Sequence, residues 1–257
     1  MGKAIAFYAA LLLICCVVSP LGEECEIRYE ESFHQLPLSE ALAVYTESDP
    51  EKFGVGELTR YYVFASFINR SEKQVCLLNV RITWYNAEDE VISTSLWSWD
   101  KDLACALLPE QAVPLAVEWT SNTFPGKLDH YQLTYKARCC EQLSESEDGP
   151  IYVNNVRFFQ EPGHELCVTG MVTNKGTKPI TDYTLFITLY DPHEEIVGVG
   201  VFARWEVTAG FPLEAGETEP FQVTFDEFGF SGYLVSREVA NFQVVAYPGR
   251  GWVPVGW

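Results

Sequence analysis

The chain repeats itself. With a shift of 105 residues, Asn69 falls on Asn174, Tyr85 on Tyr190, Glu90 on Glu195, and Val91-Ile92 on Ile196-Val197. Upstream, Ala65-Ser66-Phe67-Ile68-Asn69 matches Gly170-Met171-Val172-Thr173-Asn174 at the same shift. The shift grows to 106 where Pro114–Trp119 meets Pro220–Phe225, and to 111 where His130–Leu133 meets Asn241–Val244. It changes only between matched segments, as loop insertions make it do. A fold for this chain must therefore be built twice from the same plan.

The matched segments alternate with period two, as β-strands do. Leu78, Val80, Ile82 and Trp84 share one face, against Asn79, Arg81, Thr83 and Tyr85 on the other. In the second copy Tyr183, Leu185, Ile187 and Leu189 oppose Thr184, Phe186, Thr188 and Tyr190. Leu115, Val117 and Trp119 form a further inward row, matched by Phe221, Val223 and Phe225. Turn formers punctuate these runs at Asn174-Lys175-Gly176, Asp191-Pro192 and Glu214-Ala215-Gly216. No stretch after the N-terminus keeps a helical period, although Leu38–Tyr45 has room for one or two turns. The expectation is an all-β chain of two tandem immunoglobulin-like sandwiches. The first spans 23–140 with an N-terminal extension, the second 151–257 with an aromatic tail. The polar, acidic stretch 141–150 links them.

Residues 1–22 read as a targeting segment. Lys3 precedes an uncharged 19-residue run from Ala4 to Gly22. That composition fits an export signal, and its length also spans a bilayer if it is never cleaved. Signal peptide and membrane anchor both remain open. The expected location is secreted or membrane-anchored, outside the cytoplasm, with membrane contact through this segment alone. The chain carries 36 Asp+Glu against 17 Lys+Arg, a formal charge of −19. Phosphate backbones need clustered cations, so nucleic acid is excluded as the expected partner.

The motifs of the second copy resemble the FxLYD family of extracellular immunoglobulin-like domains. They are Gly170-x-Val172-x-Asn174, Ile187-x-Leu189-Tyr190-Asp191, Glu195-Ile196-Val197 and Leu213-x-x-Gly216-Glu217-x-x-Pro220-Phe221. The first copy has Ile82-x-Trp84-Tyr85-Asn86 at the central motif and no glycine opposite Gly216. Both copies carry Ile where the family has its leading Phe. The resemblance implies a β-sandwich of secreted or lipid-anchored prokaryotic proteins, with the motif residues in core and turn positions. It implies no catalysis.

Six cysteines follow the targeting segment: Cys25, Cys76, Cys105, Cys139, Cys140 and Cys167. In an oxidising compartment an even count predicts disulfides, and the spacing lacks the Cys-x-x-Cys pairs of a zinc site. Cys76 with Cys105 is one pairing inside the first copy. Cys139-Cys140 either bond one another or reach different partners.

Calcium needs about six to eight oxygens in a flexible loop. Among the acid clusters, Asp191, Glu194 and Glu195 are the metal candidates, beside Glu88-Asp89-Glu90, Asp100-x-Asp102 and Asp226-Glu227. None matches an EF-hand loop, and the expectation is no resident cofactor.

The aromatic surplus offers Trp97, Trp99, Trp205, Trp252 and Trp257 as binding residues, since surface aromatics anchor partners and stack on sugars. The competing reading puts Trp97 and Trp99 in the core. Asn69-Arg70-Ser71 fits an N-glycosylation acceptor. No nucleophile elbow and no glycine-rich phosphate loop occurs, and the four histidines are scattered.

Together these features predict a non-enzymatic binding, adhesion or scaffold module of the cell envelope. Its expected partner is a protein or glycan, or a second copy paired through the C-terminal tail. The alternative is a small-ligand protein holding calcium or a glycan on loop carboxylates or tryptophans.

Overall fold

A computed structural model describes residues 25–37, 59–100, 107–120, 128–139, 151–159, 166–204, 211–225, 232–235 and 238–248. The targeting segment, Leu38–Tyr45, the 141–150 stretch and the tail after Pro248 lie outside them. Thirteen β-strands are formed among these described residues. In chain order they are β1 (Ile27–Pro37), β2 (Thr59–Asn69), β3 (Val75–Tyr85), β4 (Val91–Asp100), β5 (Ala112–Thr120) and β6 (His130–Cys139). They continue with β7 (Ile151–Phe159), β8 (Leu166–Asn174), β9 (Tyr183–Tyr190), β10 (Ile196–Ala203), β11 (Thr218–Phe225), β12 (Gly232–Leu234) and β13 (Asn241–Pro248).

All pairings are antiparallel, and they make four sheets: β1-β2-β5, β4-β3-β6, β11-β8-β7 and β12-β10-β9-β13. The all-β sandwich expectation holds. The first two sheets face each other across Tyr61, Val63 and Phe67 of β2, Leu78, Val80, Ile82 and Trp84 of β3, and Val113, Leu115 and Val117 of β5. The last two close over Leu166, Val168 and Val172, Tyr183–Leu189 at alternate positions, and Phe221, Val223 and Phe225. These are the inward rows set by the alternation; the Trp119 side chain lies outside the described ones.

The duplication is repeated atom for atom at the turns. Asn69 and Asn174, both fully buried, each donate from Nδ2 to two carbonyls: Lys73 and Leu107 in one copy, Lys178 and Leu213 in the other, at 2.8 and 2.9 Å. Their Oδ1 atoms accept from the Ser71 and Gly176 amides. A buried amide with its donors and acceptor so engaged is an architectural fixture, because each lost partner would strand a desolvated polar group. Asn69 therefore has no free Nδ2 to carry a glycan in the folded chain, and the acceptor motif there is overruled by its burial.

The hairpins match as closely. Asn86 Oδ1 accepts from the Glu88 and Glu90 amides, and Asp191 Oδ1 from those of His193 and Glu195. Asp89 and Glu194 take the same left-handed backbone, at φ 60° and 66°. A third pair of sites has φ 61° at Glu110 and 80° at Gly216. The glycine absent from the first copy is thus replaced by a residue that adopts the strained conformation, with its carboxylate paired to Arg70. At Gly216 a Cβ would meet nothing within 4 Å, so a substitution there reports backbone strain alone. Gly216→Ala should lower the unfolding free energy by about 1 kcal/mol, read from a urea midpoint.

One expectation needs correction. Period-two alternation predicts strands with one buried and one wet face, but β2 and β9 are buried on both faces, Tyr61–Phe67 and Tyr183–Leu189 throughout. The reason is a seam between the two sheet pairs. Tyr62, Phe64 and Ala116 on the outer face of β1-β2-β5 pack with Ile196 and Val199 of β10, flanked by Tyr190 and Val235. Phe186 and Tyr247, also on the outward face of their sheet, join the first core, ring to ring at 5.3 Å. The Tyr247 hydroxyl donates to the Ala112 carbonyl at 2.6 Å. Since β3 corresponds to β9, and β2 to β8, the seam joins unlike faces: the back of one copy meets the front of the next.

Candidate binding surfaces

The seam gathers the buried polar chemistry of β1. The Ser32 hydroxyl donates to the Ile196 carbonyl at 2.6 Å, and His34 Nε2 lies 2.8 Å from the same oxygen. Burial pushes the His34 pKa down, opposed by its hydrogen bond to Ile196 and by the Glu195 and Asp191 carboxylates. The folded chain thus holds His34 neutral, whereas the unfolded chain binds a proton below the ordinary value near 6.5. Stability falls as pH drops through that value, because the unfolded state then takes up more protons. Between neutral pH and about pH 5 the urea midpoint of the wild type should fall further than that of His34→Gln.

The second sheet pair buries a charged triad. Arg204, only 3% exposed, reaches Glu219 through Nε at 2.6 Å and through a second nitrogen, Nη2, at 3.2 Å. Its Nη1 donates to the Thr181 carbonyl at 3.0 Å, and the Tyr183 hydroxyl donates to Glu219 at 2.7 Å. Desolvation and the Glu219 carboxylate push the Tyr183 pKa far up, so the phenol stays protonated. Every group here has a partner inside the triad, which marks it as a packing element; nothing in the first copy's sequence corresponds to it.

The candidates named from sequence are dispersed. Trp97 is 5% exposed and lies in the first core beside Trp84 and Leu133. It is a packing residue and is withdrawn as a binding aromatic. Trp99 belongs to β4, but its side chain, like Trp205, Trp252 and Trp257, lies outside what is described. Asp191 commits Oδ1 to two turn amides, while Glu194 and Glu195 stand exposed on the same hairpin. Among the described residues no three metal-binding side chains gather.

Cys25 and Cys139 form a disulfide, with 5.4 Å between their Cα atoms. It ties the approach to β1 to the end of β6, where the Tyr135 hydroxyl also donates to the Ile27 carbonyl at 3.1 Å. Cys76 is likewise disulfide-bonded, and Cys167 is a buried thiol outside any disulfide, in contact with Thr224 and Gln222. The proposed Cys76–Cys105 pairing and Cys140 fall outside the described residues.

Two exposed surfaces stand out among the described residues. Strand β7 shows Tyr152, Phe158 and Phe159, with the Lys175 ammonium 5.7 Å above the Tyr152 ring. Its register breaks between Asn154 and Arg157, and Asn155 is left-handed at φ 53°. Such a bulge blunts an edge strand against pairing. A shallow open groove beside it is lined by Asn155, Arg157, Met171 and Phe202.

The other surface is the outer face of β4-β3-β6. Arg81, Lys136 and Arg138 stand exposed there, with Asn79, Thr94, Ser98, Gln132 and Thr134 between and around them. Tyr85 and His130 stack at one end, ring centroids 4.9 Å apart. Sequence reasoning missed this face because the chain's overall charge is so negative. The signal was the alternation itself, which already put Arg81 outward.

No family model matches the chain. Among solved structures it is similar to a β-glucuronidase of glycoside hydrolase family 2, at TM-score 0.25 and 7% identity over 74% of this chain and 24% of that one. It is also similar to red sea bream transglutaminase, at TM-score 0.19 and 8% identity over 75% and 29%. A putative β-galactosidase from Bacteroides fragilis gives TM-score 0.20 and 11% identity over 87% and 41%. The chain spans less than half the length of each. At those TM-scores the likenesses carry no argument about fold or activity.

Proposed function

We propose that this chain is an exported, non-enzymatic binding or scaffold module of the cell envelope, built of two FxLYD-like sandwiches held in one fixed stack. The observation that carries the reading is the seam. Apolar packing of Tyr62, Phe64 and Ala116 on Ile196 and Val199, with the Tyr247–Ala112 hydrogen bond, presents the remaining sheet faces in a set relation. The Cys25–Cys139 disulfide fits an oxidising compartment. Buried polar side chains such as Asn69, Asn174 and Arg204 are consumed by turns, the seam and the core, which leaves exposed faces for contact. The test expresses the tagged full chain in a host with an intact envelope. The expected result is recovery from the envelope or medium fraction with Cys25 and Cys139 oxidised, and sensitivity to protease added from outside. Recovery from the cytoplasm with both thiols reduced would overturn the reading.

A further inference from the structure

We infer that the outer face of β4-β3-β6 is a docking site for an anionic polysaccharide, held by the cation row Arg81, Lys136 and Arg138. The inference rests on the binding-module reading and assigns it a ligand class. Thr134 pairs with Arg81 across the β3–β6 ladder, and Lys136 sits two residues further along β6. That diagonal spacing puts Arg81 and Lys136 about 7–8 Å apart at Cβ. Arg138 follows on the same face after one more period of about 7 Å. None of the three has an ion-pair partner among the described residues. Among the outward positions of these strands the acid is Asp100, whose backbone pairs with Leu77 on the side opposite Arg138.

On a protein whose total is −19, three neighbouring exposed cations make a local patch of opposite sign, complementary to a carboxylate- or sulfate-bearing ligand. The layout favours a chain-like ligand over a compact one. The face is an open sheet surface, and its cations run diagonally from Arg81 of β3 to Lys136 and Arg138 of β6 instead of converging on a point. Hydroxyl and amide groups alternate with them, and the Ser98 hydroxyl already donates to Asn79 at 2.7 Å. A repeating sugar polymer presents anions and hydroxyls in just such succession. Leu96, 70% exposed, and Val91, 59% exposed beside Tyr85 at the end of the face, are its large apolar side chains standing clear, which is thin footing for a protein interface or a lipid surface. Repulsion from the acidic remainder is screened beyond about 8 Å at physiological salt.

Affinity electrophoresis of the full chain provides the test, with polygalacturonate as the carboxylate probe, dextran sulfate as the sulfate probe and neutral dextran as control. One or both polyanions should retard the protein, less so at high salt, and neutral dextran should not. The retarding probe identifies the source of the anion. The R81A/K136A/R138A variant should bind roughly tenfold or more weakly, and R157A/K175A, on the second sheet pair, should bind like wild type. Lys136→Glu alone should weaken binding as well, and an unchanged melting temperature would show that either variant is folded. Equal retardation of wild type and the triple variant, or no retardation by either polyanion, would overturn the inference. Self-association in sedimentation that disappears in the triple variant would also overturn it, assigning the face to a second copy. If the triple variant is still exported and held at the envelope, the loss falls on this inference alone and the module reading stands.

Discussion

Replacing Cys25 and Cys139 together with serine should lower the unfolding free energy by about 4 kcal/mol. The bond closes a loop with a sequence separation of 114 residues, and the entropy it removes from the unfolded chain grows with loop length. It also joins the two sheets at the side where β1 and β6 are edge strands with no further partner in their own sheets. Urea titration of the oxidised wild type against C25S/C139S measures the loss directly. The double variant is a cleaner probe than a reducing agent, because Cys76 is also disulfide-bonded and a reductant would open both bridges. A change under about 1 kcal/mol would mean that the unfolded chain is already compact there.

The second large effect lies in the buried triad. Glu219→Gln should destabilise the protein by about 3–5 kcal/mol, because it leaves the Arg204 guanidinium buried without its counter-charge. The loss is the cost of an orphaned charge more than the worth of the pair. Substituting both partners with apolar residues, R204M/E219L, should therefore recover most of it, even though Tyr183 loses its acceptor. The two urea midpoints decide the matter: a double variant as weak as Glu219→Gln would show that the hydrogen bonds to Thr181 and Tyr183, and not the charge, dominate.

Much of this fold was legible because the chain states it twice. The inward rows Leu78–Trp84 and Tyr183–Leu189 follow from period-two alternation, and the turns at Asn69 and Asn174 from their shared spacing. The seam was harder to see, although a signal existed. Tyr61-Tyr62-Val63-Phe64-Ala65 does not alternate, and an unbroken apolar run on a strand marks burial on both faces. In β9 the same burial is disguised, because Thr184 and Thr188 present hydroxyls beside Phe186. Trp97 misled for a related reason. Its flanking residues are Leu96 and Ser98, so alternation fixed two faces of β4 without saying which one was wet. The Cys25–Cys139 pairing had no local trace, since residues so distant in sequence meet only after both sheets have formed.

A front-to-back contact between like units has no natural end. Two-fold pairings close on themselves, but this one uses a different surface on each side and invites a third, fourth and further unit. At the outermost faces the equivalent positions carry other residues. Where the inner front face carries Phe186 and Val199, the outer one carries Arg81 and Thr94; where the inner back face carries Tyr62 and Phe64, the outer one carries Cys167 and Thr169. A handful of side-chain exchanges between otherwise equivalent positions thus distinguishes the packed faces from the open ones. Restoring the apolar residues at the outer positions, as in R81F/T94V, should therefore drive head-to-tail association, read by sedimentation.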